Sequence, residues 1–206
     1  MNVSIMIYVV AITTYNRYDK GKNMDDNLEL YEYSKQMSEI KLIKWNDLPK
    51  FPVYCDQLLQ IVNDELSSMQ IDDENLLTKS MVNNYVKWGM IPKPVKKKYD
   101  KLHIAEVMVI TLLKQILTIS EIKDGILLQI ALHGNERAYD AFVESFEEST
   151  RKVFKPITSE KSTYVLEERE IEYDRLAISS ITTALSSKLL TEKIIKSKIK
   201  KYNSKP

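Results

Sequence analysis

The chain has 206 residues, 44% hydrophobic and 29% charged with a net charge of +1, enough for a real core in one medium domain or a small domain with an appendage. Four glycines and six prolines leave little material for β-turns or a phosphate-cradling loop, so the composition favours helices. The single cysteine, Cys55, excludes an internal disulfide, and with His103 and His133 it forms no recognised zinc spacing, which points to a reducing cytosol and to Cys55 as a small apolar residue at a helix start.

Val3 to Ile12 is an apolar run too short for a membrane span of roughly 20 residues. No basic residue precedes it and no clear cleavage site follows, so it reads as an upstream start or a loosely attached strand. Residues 1–44 are expected to be a partly disordered extension, with the compact fold beginning after Met24. After the break at Pro49 and Pro52, Leu58, Leu59, Ile61, Val62 and Leu66 lie close to helical spacing and predict a helix from Asp56 to Met69. Gln70 to Asn75 reads as a loop. Thr78 can N-cap a short second helix that ends near Trp88, because Gly89 is placed to take the left-handed conformation.

Met90 to Tyr99, with Pro92, Pro94 and three consecutive lysines, is an extended or turn segment. Asp100 offers an N-cap for a helix from Leu102 to Leu117 that is apolar on most sides and should be central to the core. Thr118 and Glu121 form a capping box before the stripe Ile119, Ile122, Ile126, Leu127 and Ile130, which Gly134 closes. Asn135 can cap a further helix carrying Ala138, Tyr139, Phe142, Val143, Phe146 and Val153 up to Pro156. Lys155 to Tyr164 reads as a linker. From Glu170 to Tyr202 nothing interrupts a helix, whose imperfect stripe of Leu176, Ile178, Ile181, Leu185, Leu189, Ile195 and Ile199 suits a core helix or a dimer seam.

Charge is segregated along this chain. Residues 79–101 hold seven lysines against Asp100, and residues 188–205 hold seven against Glu192, net +6 each, so the remainder carries −11. Within the first of these, the helix after Thr78 is two-faced: Ser80, Asn83, Asn84 and Lys87 fall within about 100° of one another, opposite Met81, Val82, Tyr85, Val86 and Trp88. Carboxamides, a hydroxyl and an ammonium are the groups that read base edges in a major groove. A plain solvated helix face, with one Asn bonded to neighbouring backbone, is the competing explanation. Lys93, Lys96, Lys97 and Lys98 follow on a backbone stiffened by two prolines and suit phosphate contacts, as does Lys79; Tyr99 is placed with this set, packing under or beside the turn.

The stretch N-N-Y-V-K-W-G-M-I-P at residues 83–92, then K-K-Y at 97–99 and L-H-I at 102–104, resembles the winged helix-turn-helix of MerR-type regulators. Tyr85, Gly89, Ile91 and Pro92 match the end of that family's recognition helix, Lys98 and Tyr99 look like the end of its wing, and Ile119 to Lys123 is similar to its next helix. Asn83-Asn84 replaces the Arg-Tyr pair usual there. A closer resemblance is to an uncharacterised bacterial domain family with L-T-K-x-M-V-N-N-Y (Leu77 to Tyr85) and P-x-P-V-K-K-K-Y (Pro92 to Tyr99), joined by D-L-P at Asp47 to Pro49 and L-T-I-S-E-I at Leu117 to Ile122. That family brings no biochemical activity with it, and its regulator label rests on analogy of fold.

No GxGxxG, P-loop, G-x-S-x-G or H-E-x-x-H is present, and acidic pairs such as Glu147-Glu148 sit in solvent-like contexts, so no catalytic residue, metal or cofactor is assigned. These readings together predict an all-α fold with a helix-turn-helix and short basic wing over 45–134, and a C-terminal helical region at 135–206 that can dimerise. The expected protein is a cytoplasmic, homodimeric regulator bound to double-stranded DNA. The alternative is a protein-interaction or adaptor module on the same scaffold.

Overall fold

Three of the four helix starts that the sequence marks with a side-chain cap, those after Thr78, Asp100 and Thr118, are built by that cap, while Asn135 makes no side-chain hydrogen bond among the described residues. In a computed structural model, which describes residues 24–70, 75–158 and 170–203, the Thr78 hydroxyl accepts from the Met81 N–H at 3.4 Å and the Asp100 carboxylate from the His103 N–H at 3.3 Å. Thr118 and Glu121 close their capping box in both directions, at 3.4 and 2.8 Å. The expectations for residues 1–23, for most of the loop at 70–75 and for the linker beyond residue 158 lie outside the described residues.

Among the described residues there are six α-helices: α1 (Met24–Ser38), α2 (Cys55–Glu65), α3 (Lys79–Lys87), α4 (Lys101–Leu113), α5 (Ile119–Phe154) and α6 (Leu176–Asn203). A small antiparallel sheet joins β1 (Val53–Tyr54) to β2 (Lys98–Tyr99), with Val53 opposite Tyr99 and Tyr54 opposite Lys98. The fold is therefore mostly helical, and the sheet is an addition to the purely helical expectation. The predicted helix at 56–69 ends at Glu65 and passes into a 3₁₀ turn over Ser67–Met69. α4 is buried on nearly every side, as its apolar run requires, but closes at Leu113 because the next turn tightens, with Ile116 N–H bonded to Leu113 O, before Thr118 starts α5.

Gly134 is where two helices meet, as the sequence places it: at φ +74° and ψ 165°, a conformation open to glycine and not helical, it kinks the 36-residue run of α5 and divides it into an N-terminal and a C-terminal half. The helix that the sequence reading did not place is α1, whose Tyr33 and Met37 are buried; Tyr33 meets Phe154 edge-on at 5.7 Å. Residues 41–46 then lie along the C-terminal half of α5. The Leu42 N–H donates to Glu147 at 3.0 Å, the Trp45 N–H to Asp140 at 2.8 Å, and the Tyr139 hydroxyl to the Ile43 carbonyl at 2.9 Å.

α6 packs against α5 and α1, and Leu185 and Leu189 at the centre of its stripe are fully buried within the chain. Of the two roles open to that stripe, core helix and dimer seam, its centre fills the first; only Leu176 and Ile199 at the ends stay substantially exposed. The α5–α6 contact is not mainly aliphatic. Thr182 gives its proton to the Ile178 carbonyl at 2.9 Å and so accepts from Ser145 at 3.0 Å and Ser149 at 2.9 Å, while Thr150 and Ser186 pair at 2.9 Å. All five side chains are buried. Removing one member strands its partners at a cost of about 1–3 kcal/mol, whereas removing all members of a group together approaches neutrality. Thr182→Val should lower urea-unfolding stability by that amount, and adding Ser145→Ala and Ser149→Ala should cost no more than Thr182→Val alone.

Candidate nucleic-acid interface

The candidate surface is built from α3 and the segment that follows it. Val82 and Tyr85 anchor α3 in the core, which turns Lys79, Ser80, Asn83 and Lys87 fully outward and leaves Asn84 half-buried. Neither Asn83 nor Asn84 has a side-chain hydrogen-bond partner among the described residues, so a structural bond to a neighbouring helix does not account for the pair. Gly89, at φ +64°, ends the helix, and Met90 N–H reaches back to the Tyr85 carbonyl at 2.8 Å.

Beyond Pro92 and Pro94 the chain reverses in two residues. Val95 and Lys98 exchange both backbone hydrogen bonds, at 3.1 and 2.9 Å, around Lys96 and Lys97, whose φ values are +50° and +63°. Positive φ at both central residues marks a type I′ reversal, which normally draws Asn-Gly because a β-carbon is strained there. Lys96 and Lys97 are exposed at its tip and, with Lys87 and Lys93, have no ion-pair partner among the described residues. Lys98 is half-buried with its ammonium 5.1 Å from the Tyr54 ring centroid, and Lys79 stands 3.7 Å from Asp56 in an exposed pair.

Tyr99 is buried, which removes it from the set facing phosphate. Its ring meets His103 edge-on at 5.3 Å and its hydroxyl lies beside Cys55; burial pushes both the Tyr99 hydroxyl and the Cys55 thiol up. His103 is buried as well, with Nδ1 2.7 Å from the Asp100 carboxylate and Nε2 3.2 Å from the Pro92 carbonyl. Burial would raise the Asp100 carboxyl, but hydrogen bonds from His103 outweigh it and hold the group below its ordinary value. The ring thus ties the stem of the reversal to the start of α4.

Two anchors of α3 were not singled out in the sequence. Asn63 on α2 donates to the Leu77 carbonyl at 2.9 Å and accepts from the Leu77 N–H at 3.0 Å, doing for an isolated backbone what a β-partner would do. Lys114, just after α4, donates to the Leu76 carbonyl at 2.7 Å and contacts Met81 Sδ at 3.1 Å; burial pulls its ammonium below the ordinary lysine range. Both are polar residues standing inside apolar stripes, which is the signal that could have found them. They are needed because 13 residues separate α2 from α3, against 3–4 in a minimal helix-turn-helix.

Among the described residues no helix is long and apolar enough to cross a membrane, and no group of three or more His, Cys, Asp or Glu is arranged to hold a metal ion. Residues 43–146 match the family described as a domain of unknown function, DUF1836. No curated protein and no solved structure matches the chain. The match spans the site and runs past Gly134 into the half of α5 that carries residues 41–46.

Asn63→Ala removes both bonds to a buried backbone unit and should cost about 1–3 kcal/mol. Hydrogen exchange should rise first at Leu77 to Val82, ahead of α5 and α6; uniform loss of protection would mean that Asn63 holds the whole core rather than α3.

Proposed function

We propose that this chain, which belongs to the DUF1836 family, is a sequence-specific DNA-binding regulator that sets α3 in the major groove and the Lys96–Lys97 reversal on the phosphates as a wing. The observation that carries the reading is the reversal itself. Two lysines occupy left-handed positions where Asn-Gly would be less strained, and their ammonium groups are free at the tip. Strain kept in exchange for two exposed charges makes sense where those charges meet an anion.

α3, like any α-helix about 10–12 Å across with its side chains, fits a major groove about 12 Å wide. Ser80, Asn83, Asn84 and Lys87 would meet base edges, and Lys79, Lys93, Lys96, Lys97 and Lys98 the backbone. The resemblance to MerR-type regulators over residues 81–105 supports the same arrangement. A homodimer on a two-fold site has to use a surface other than the buried centre of α6. One specific feature favours the adaptor reading: Phe51, Tyr54 and Val95 are 66%, 55% and 73% exposed beside the lysines, as the apolar centre of a protein contact would be. DNA binding falls steeply with salt, whereas a contact with such a centre survives about 0.3 M salt.

Titration of duplex DNA at several salt concentrations tests the proposal, with a nonspecific Kd of roughly 10⁻⁴ to 10⁻⁶ M expected near physiological salt. No binding at low salt would overturn it. The double variant Lys96→Asn, Lys97→Gly should move two quantities in opposite directions. Relief of left-handed strain should raise stability by about 1 kcal/mol, while loss of two phosphate contacts should make the slope of log K against log salt shallower by about 2. Asn84→Ala should cost about 1–3 kcal/mol on a selected site and leave nonspecific binding and melting temperature nearly unchanged, as loss of a bidentate adenine contact would.

A further inference from the structure

Behind the interface, α4, the bend of α5 and the start of α6 enclose a cavity of about 250 Å³. Trp45, Val109, Phe142 and Ile178 make its wall largely apolar. A carboxylate stands in that wall: Glu106 on α4, whose Oε2 is buried and has no hydrogen-bond partner among the described residues. Burial first, then the charge of Asp100, push this carboxyl up to about 7. The other acid at the wall, Glu121, is already committed to the Thr118 cap.

A buried carboxylate without a partner is costly, and it is relieved either by taking up a proton or by a cation with a donor hydrogen. Among the described residues no cation pairs with Glu106. The volume exceeds the roughly 150 Å³ that holds benzene in an apolar cavity and approaches the ~300 Å³ lower end of ligand pockets. We propose that this cavity binds a small organic amine, its aromatic or branched body among Trp45, Val109, Phe142 and Ile178 and its protonated nitrogen against Glu106. The proposal is independent of the DNA-binding reading. Its competitor is a second copy of the chain, because Leu127, Leu128 and Leu132 on the adjoining half of α5 are 56%, 57% and 63% exposed.

The full chain carrying Trp88→Phe leaves Trp45 as the sole tryptophan and reports on the cavity directly. At pH 8, 3-phenylpropylamine should change Trp45 fluorescence saturably with a Kd below about 1 mM, and the neutral 3-phenylpropanol should bind at least tenfold more weakly. Glu106→Gln should abolish that preference, and Val109→Phe, which fills the cavity, should abolish binding of both probes. Equal affinity for amine and alcohol, or amine binding unchanged in Glu106→Gln, overturns the proposal. So does a dimer in light scattering that Val109→Phe dissociates while neither probe binds, since the cavity would then belong to the second copy.

Discussion

The burial of α4 is the constraint from which the rest of the structure takes its positions. Ile104, Val107, Ile110 and Leu112 are wholly buried, so the helix has no freedom to tilt or slide without opening the core on several sides at once. Its two ends are polar and face the same region. At the start, His103 and Asp100 grip the stem of the lysine reversal through the Pro92 carbonyl. Just past its last turn, Lys114 grips the approach to α3 through the Leu76 carbonyl. Both halves of the proposed interface are thereby referred to one rigid element, which fixes the spacing between helix face and lysine tip better than the connecting loops could.

The remaining helices use a different chemistry. α5 and α6 meet through Ser145, Ser149, Thr150, Thr182 and Ser186, small side chains that let the helices approach closely and then require their hydroxyls to be paired. Aliphatic packing tolerates rearrangement among similar volumes, but a hydroxyl shifted by one turn loses its partner. This contact therefore sets the register of α6 more strictly than Leu185 and Leu189 would alone.

What the sequence made legible follows the same division. Short-range signals were the most legible: Thr78, Asp100 and Thr118 cap because the bond lies within three residues, and Gly89 and Gly134 adopt positive φ because few other residues can do so cheaply. Long-range demands were not. α1 is polar over most of its length, and tertiary packing of Tyr33 and Met37, with Tyr33 against Phe154, together with the pairing of Glu29 with Lys193, holds it on the core. Gly134 is the helix boundary that its sequence context marks, while the placement of the C-terminal half of α5 beyond the kink is held by contacts with residues 41–46 that lie far away in the chain. The stripe of α6 could not reveal its partner, since a core face and a dimer seam have the same periodicity. Asn63 and Lys114 stand out as polar positions in apolar stripes, but their partners could not be read, since the acceptors, Leu77 and Leu76, lie 14 and 38 residues away.

Net charge says nothing about this protein's partners, because the acids and bases are not equally available. On α5, Glu136, Asp140, Glu144 and Glu147 are engaged by Asn46, Trp45, Lys44, Leu42 and Lys41. In the second basic segment, Lys188 pairs with Glu192 at 2.7 Å and Lys193 with Glu29 at 2.7 Å. In the first basic segment Lys87, Lys93, Lys96 and Lys97 carry no such partners among the described residues. At a screening length of about 8 Å in physiological salt, an anion near the lysine turn senses those four charges and little of the acidic body behind them. A chain of net charge +1 can thus present a strongly cationic surface, and the pairing within the fold decides where that surface lies.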